Sequence, residues 1–184
     1  MTDGLMTRRL VAGLFVSLDG VVEAPERWHF PYLSQEMNAA VSGMYAEADT
    51  LLLGRATYEA FAAVWPHRTG EMAEAINGIR KLVASTTLTR VAWNNSSLIE
   101  GDLVAAVKEL KERPGADIAL SGSISLVRVL LQAGLLDELR LLVHPLVVGT
   151  GMRLFPEGTP PTPLALTRST TFTGGVLDLT YRPA

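Results

Sequence analysis

The chain has 184 residues, 48% of them hydrophobic, with a formal net charge of −3 and no cysteine. That length suits one domain with a real core, and the apolar content excludes wholesale disorder. The acidic balance argues against a nucleic-acid binder. The missing cysteine removes disulfides, thiol nucleophiles and thiolate metal sites together, which fits a reducing compartment and a cytoplasmic location.

The chain opens MTDGLMTRRLVAGLFVSLDG, with Arg8 and Arg9 ahead of an apolar run. The run is too short to cross a membrane and alternates into Ser17 and Asp19 with no small-residue cleavage site. Arg9 to Leu18 therefore reads as a first strand, buried on both faces, and not as a leader. Glu23 to Leu33 holds two prolines and reads as a loop. Ser34 caps a helix whose apolar positions are Met37, Ala40, Val41, Met44, Tyr45 and Ala48. Thr50 to Leu53 is a short strand, and Tyr58, Phe61, Ala62 and Trp65 mark the next helical stripe. Glu71 to Asn77 is a helix stopped by Gly78, and Lys81 to Ser85 a strand. Val91 to Ile99 reads as a turn at Asn94-Asn95 between two short strands. Asp102 caps a helix with Leu103, Ala106, Val107 and Leu110 inward, ended by Pro114-Gly115.

Asp117 to Leu120 is a strand that runs through Ser121-Gly122-Ser123 into an apolar helix ended by Gly134. Glu138 to Val148 reads as one long strand, Pro156 to Pro163 as a surface loop, and the tail from Leu164 as two strands around Gly174-Gly175. Strand and helix alternate, then strands follow alone. The pattern predicts an α/β fold, residues 1–184 as one domain, with a mainly parallel sheet and an antiparallel C-terminal end. The apolar strand Glu138 to Val148 and the tail Val176 to Tyr181 predict a long sheet edge that needs covering, by a second copy in a homodimer or by the Pro156–Pro163 loop.

Three strand-to-helix junctions carry glycine or hydroxyl residues: Leu53-Gly54-Arg55-Ala56-Thr57, Ala84-Ser85-Thr86-Thr87 and Ser121-Gly122-Ser123-Ile124-Ser125. Ligands bind at the carboxyl edge of parallel sheets, and free N–H groups at a helix start suit phosphate. Any one of these is equally an ordinary capped helix start. Three on one expected edge point to a dinucleotide. Neither a G-x-G-x-x-G fingerprint nor a G-x-x-x-x-G-K-[ST] loop is present.

Gly54-Arg55-Ala56-Thr57-Tyr58 resembles the G-R-x-T-[WY] motif of dihydrofolate reductases. Ser85-Thr86 falls where that family contacts the adenosine phosphate, and Gly122-Ser123 where it has a paired glycine beside the pyrophosphate. A closer likeness is to the reductase branch related to the C-terminal domain of the bifunctional riboflavin deaminase–reductase. Ser17-Leu18-Asp19-Gly20 and His144-Pro145-Leu146-Val147-Val148-Gly149-Thr150-Gly151 carry it. The resemblance covers nearly the whole chain. It implies a dihydrofolate-reductase-like fold and hydride transfer from NADPH, or NADH, to a C=N or C=O of a small heterocycle. The dinucleotide would lie on Leu53, Gly54, Arg55, Thr57, Ser85, Thr86, Gly122, Ser123, Ile124 and Ser125.

Trp28-His29-Phe30-Pro31 resembles the W-x-L-P stretch that precedes the folate-binding acid of true dihydrofolate reductases. The acid's position is Leu33 here, so the paired hydrogen bond to a pterin is lost. Glu36, one turn on, either substitutes for it or simply complements the helix dipole. Asp19 is a candidate acid facing cofactor and substrate, or the turn residue of an Asp-Gly pair. His144 is a substrate contact or a satisfied core histidine. Trp28, Phe30 and Trp65 could wall a flat ring or pack a lid and core. The three histidines lack ligand spacing, so no metal is expected. A second functional class, a nucleotide-binding sensor without turnover, draws its support from the missing acid at Leu33.

Overall fold

The computed structural model describes residues 8–184. The leader reading for the start of the chain also involves residues 1–7, which lie outside the described residues. Eight strands form one sheet: β1 (Leu10–Ser17), β2 (Ala48–Gly54), β3 (Arg80–Ala84), β4 (Ser96–Leu98), β5 (Asp117–Ser121), β6 (Glu138–His144), β7 (Leu164–Thr171) and β8 (Leu177–Pro183). Their order is β4-β3-β2-β5-β1-β6-β8-β7. All pairs are parallel except β6–β8 and β8–β7. Five helices flank the sheet: α1 (Gln35–Ala46), α2 (Arg55–Val64), α3 (Glu71–Gly78), α4 (Leu103–Glu112) and α5 (Ile124–Gln132).

Successive side chains of a strand point to opposite faces, and β1 uses both. Leu10, Ala12, Leu14 and Val16 pack with Val107, Leu110, Leu126, Val127 and Leu130 of α4 and α5. Val11 joins Met44, Tyr45, Tyr58 and Ile76 of α1, α2 and α3 on the other face. That double burial is why β1 reads as a nearly continuous apolar run. Gly13 lets α1 come close, since a Cβ there would lie 2.5 Å from Met44 Sδ.

The expected caps form: Ser34 Oγ accepts from Met37 N at 3.1 Å, and Asp102 Oδ1 from Ala105 N at 2.9 Å. Two boundaries differ from the sequence reading. Strand β6 stops at His144 and not at Val148, because Pro145 has no N–H to continue a ladder. Residues 91–99 yield one strand, not two. Asn95 turns at φ 55°, and its carbonyl accepts from Lys81 N at 2.7 Å, leaving Ser96–Leu98 to pair with β3. Strands β6 and β8 are interior, so the edge is β7, whose side chains are mostly exposed. The Pro156–Pro163 segment is irregular and largely exposed.

Candidate active site

Strands β2 and β5 are parallel neighbours, and each runs straight into a helix at its carboxyl end. Gly54 leads into α2. Ser121, Gly122 and Ser123 lead into α5, with φ +59° at Gly122 and 50° at Ser123. The left-handed turn at Gly122 needs glycine, since a Cβ would sit 3.1 Å from Thr57 Cγ2 and 3.2 Å from Thr57 Oγ1. Ser123 adopts the same region at a cost and is held there by two bonds. Its amide donates to Thr57 Oγ1 at 3.0 Å, and its Oγ accepts from Gly54 N at 2.8 Å. Two helix starts are thereby fixed side by side, with first-turn N–H groups that have no partner within their own helices. Such a pair suits an anionic diphosphate.

These residues open onto a cavity of about 460 Å³. Ala56, Thr57, Gly122, Ser123 and Ile124 line one part of it. It continues across β1, β6, β8 and β7, walled by Gly13, Phe15, Leu142, Arg140, Asp178 and Arg168, with Ala40, Val41, Met44 and Tyr45 of α1 facing them. Glu23 to Glu26 close another side. Tyr45 OH donates to Ser121 Oγ at 3.0 Å, and burial pushes its phenol above the ordinary range despite that bond. Burial alone would lower Arg140, but its hydrogen bonds to Glu138 (2.6 Å) and Glu47 (2.9 Å) leave it raised. Asp178 is 2% exposed and pairs with Arg168 at 3.0 Å.

Of the residues read as dinucleotide-binding, Thr57, Gly122, Ser123 and Ile124 stand in the cavity wall, with Gly54 bonded beside them. Leu53 is fully buried, so only its backbone is near the junction. Ser125 is exposed at the start of α5. Arg55 lies outside the cavity wall and pairs with Glu59 on the surface of α2 at 3.1 Å. Ser85 and Thr86 follow the next parallel strand, β3, on the same sheet edge. Ser85 Oγ accepts from Thr87 N and Leu88 N at 3.1 and 2.9 Å.

The substrate-side residues come out differently: Asp19, Trp28, Phe30, Glu36 and His144 are all absent from the cavity wall. Asp19, read as a candidate acid or a turn residue, clamps a loop. Its carboxylate accepts from Ser17 Oγ at 2.6 Å, Val148 N at 3.0 Å and Gly149 N at 2.9 Å. The Ser17 hydroxyl, then the Val148 amide, hold its pKa down to about 2. Glu36 accepts from Thr173 N at 3.0 Å and so ties α1 to the β7–β8 turn. His144 is fully buried, its Nδ1 bonded to Leu142 O at 2.8 Å and its Nε2 without a partner. Trp28 packs edge-on against it, and Phe30 is half-exposed against His29. His29 and His144, distant in sequence, have ring centroids 6.3 Å apart. Among the described residues no cluster of three or more metal-ligating side chains occurs, and no helix is long and apolar enough to cross a membrane.

The cavity is also lined by Tyr45, Arg140, Arg168 and Asp178, which the sequence did not single out as site residues. A signal existed for Asp178, a lone acid between Leu177 and Leu179 in an alternating strand. None existed for the others: strand order sets Arg140 and Arg168 near Asp178, and the packing of α1 on the sheet brings Tyr45 to the same cavity.

A mostly parallel eight-stranded sheet with an antiparallel C-terminal hairpin, helices on both faces and a cleft at the strand ends defines a dihydrofolate-reductase-like fold. The chain belongs to the family of the RibD C-terminal domain, whose model matches residues 8–177. It is 29% identical over 186 residues to the uncharacterized protein YyaP of Bacillus subtilis, covering 98% of each chain. It superposes on a pyrimidine reductase-like protein from Corynebacterium diphtheriae with a TM-score of 0.71 at 14% identity, covering 96% of this chain and 92% of that one. It also superposes on dihydrofolate reductase from Enterococcus faecalis, solved with NADP(H), with a TM-score of 0.63 at 16% identity, covering 95% and 96%.

Proposed function

We propose that this protein is an NAD(P)H-dependent reductase that delivers a hydride to the C=N or C=O carbon of a small, flat heterocycle of pyrimidine or pterin type. The observation that carries this reading is the Thr57–Ser123 stitch, which holds two helix starts at the mouth of a cavity large enough for nicotinamide and substrate together. Thr57, Gly122, Ser123 and Ile124 would hold the pyrophosphate. Ser85, Thr86 and Arg55 lie along the same strand ends, where the adenosine half would extend, and Arg55 favours NADPH over NADH. When bound, the reduced nicotinamide supplies the hydride.

The chain's own residues do the rest. Phe15, Leu142, Val41 and Met44 flank the substrate arm and exclude water from it. Asp19 serves the 145–153 loop, so the proton that completes the reduction comes through the cavity's polar wall, where Tyr45 and Asp178 stand. The wider reading is of one cytoplasmic domain that works as a homodimer on a small-molecule substrate, with neither nucleic acid nor membrane as partner.

The test is direct. NADPH should raise the melting temperature by mass action, and a panel of cyclic imines, ketones and pyrimidines should include an acceptor that consumes reduced-nicotinamide absorbance. No thermal shift with either nucleotide would overturn the reading. Dihydrofolate should be a poor substrate, because Leu33 replaces the pterin-binding acid. A second reading, nucleotide binding without turnover, gains support from Asp19 not lining the cavity. A thermal shift with no acceptor consumed would select it.

A further inference from the structure

Phe15, Leu142 and Asp178 are register partners in a row across β1, β6 and β8, and all three line the cavity. Asp178 is therefore a carboxylate that follows two apolar side chains in the row. Burial at 2% exposure strips most of its hydration. Among the described residues Arg168 is its one polar partner, a half-exposed guanidinium that also bonds Thr180 Oγ1 at 3.2 Å. Glu138, the other buried acid, is satisfied quite differently, with Arg140, Arg9 and Arg182 all within 4.0 Å. A buried carboxylate with a single ion pair and an open cavity beside it has lone pairs available to a ligand.

The cavity in front of it lies between the sheet and α1. Gly13 brings Met44 of α1 down onto β1, and Val41 and Ala40 continue that wall. A planar ring is the ligand shape that would stack between this wall and the Phe15–Leu142 floor. Arg168 already balances the charge of Asp178, so the ligand edge needs donors and no net positive charge. An anionic edge would face the carboxylate and be rejected.

We propose that Asp178 is the carboxylate that recognises the substrate, accepting hydrogen bonds from ring or amino N–H groups on the edge of a planar heterocycle, with Arg168 as its positioning residue. It supplies from β8 the acid that Leu33 does not supply from the segment before α1. This assignment rests on the reductase reading of the cavity and narrows its substrate to heterocycles with an N–H edge.

A ligand-observed NMR titration of the whole protein with a diaminopyrimidine, and with the dimethylpyrimidine of the same shape, tests it. The diamino compound is expected to bind at least roughly tenfold more tightly, the usual worth of a hydrogen bond to a charged group. Asp178→Asn should erase that preference and leave NADPH affinity unchanged. Equal binding of the two compounds by the wild type overturns the assignment, as does failure of both to bind at millimolar concentration. So does a variant that loses melting temperature but keeps the preference, which would make Asp178–Arg168 a purely structural pair. If Asp178→Asn does not fold, the wild-type comparison of the two compounds still decides. An NADPH thermal shift run alongside separates the two levels: its absence sinks the reductase reading whatever the pyrimidines do.

Discussion

Thr57 and Ser123 belong to different helices and hold each other's ends, the Ser123 amide donating to Thr57 Oγ1 at 3.0 Å while Ser123 Oγ takes the amide of Gly54 at 2.8 Å. Thr57→Val keeps the side chain's shape and removes the acceptor. The Ser123 amide then loses its partner, which costs about 1–3 kcal/mol. Both the melting temperature and NADPH affinity should fall, the affinity by about tenfold for a loss near 1.4 kcal/mol. Thermal melts and nucleotide fluorescence titration check this. Unchanged values for both would show that the stitch is incidental.

Arg55 is exposed and bound to Glu59, so it is free to turn toward a ligand at little cost. Arg55→Ala should weaken NADPH more than NADH. Equal losses would assign Arg55 to the shared pyrophosphate, and no loss would leave it as a surface ion pair.

Asp19 anchors the loop that follows β6 through two backbone amides. Asp19→Asn should therefore lower the melting temperature while turnover and NADPH affinity stay close to wild type. A 10²–10⁴-fold loss of turnover, the range for a general acid–base group, would restore the catalytic role. The native carboxylate is held at about 2 against an ordinary 3.8, so its contribution is present above pH 3.8 and is lost as pH falls through about 2. Asp19→Asn should flatten the acid limb of a stability profile in that window.

His29 stacks on Phe15 at 4.7 Å, and His144 lies edge-on to the same ring. Burial holds both imidazoles below their ordinary 6.5. Below that pH the unfolded chain takes up protons that the native chain refuses, so stability is complete above pH 6.5 and falls as pH drops beneath it. Urea midpoints measured across that range should decline toward acid. His29→Phe keeps the stack and should reduce the slope; an unchanged slope would mean the pair is not its source.

Strand β7 is the free edge of the sheet on the C-terminal side, with Leu166 53% exposed. A long edge whose one charged side chain, Arg168, is paired to Asp178 invites pairing with a second copy. Light scattering should give twice 19.8 kDa, and a proline at Thr167 should shift it toward the monomer. A mass of 19.8 kDa for the wild type rules the homodimer out.

By itself the sequence determined what repeats locally. The period-two run of β1, the helix caps at Ser34 and Asp102, the glycine stop after α5 and the Gly174-Gly175 hairpin were all legible, because each depends on neighbours within a few residues. That Thr57, Gly122 and Ser123 stand at strand-to-helix junctions was legible too, since a glycine or hydroxyl there is itself the signal. The tertiary structure alone decided which side chains line the rest of the cavity. Asp19 stayed open between a candidate acid and a turn residue because nothing nearby in sequence showed the Val148 and Gly149 amides that claim it, 129 and 130 residues away. Asp178 looked like one polar residue in a tail strand until the order β1-β6-β8 set it beside Leu142 and Phe15. A hydrogen-bond partner or a cavity is a property of which strands become neighbours, and strand order is fixed by packing the whole sheet at once, not by any window of the chain.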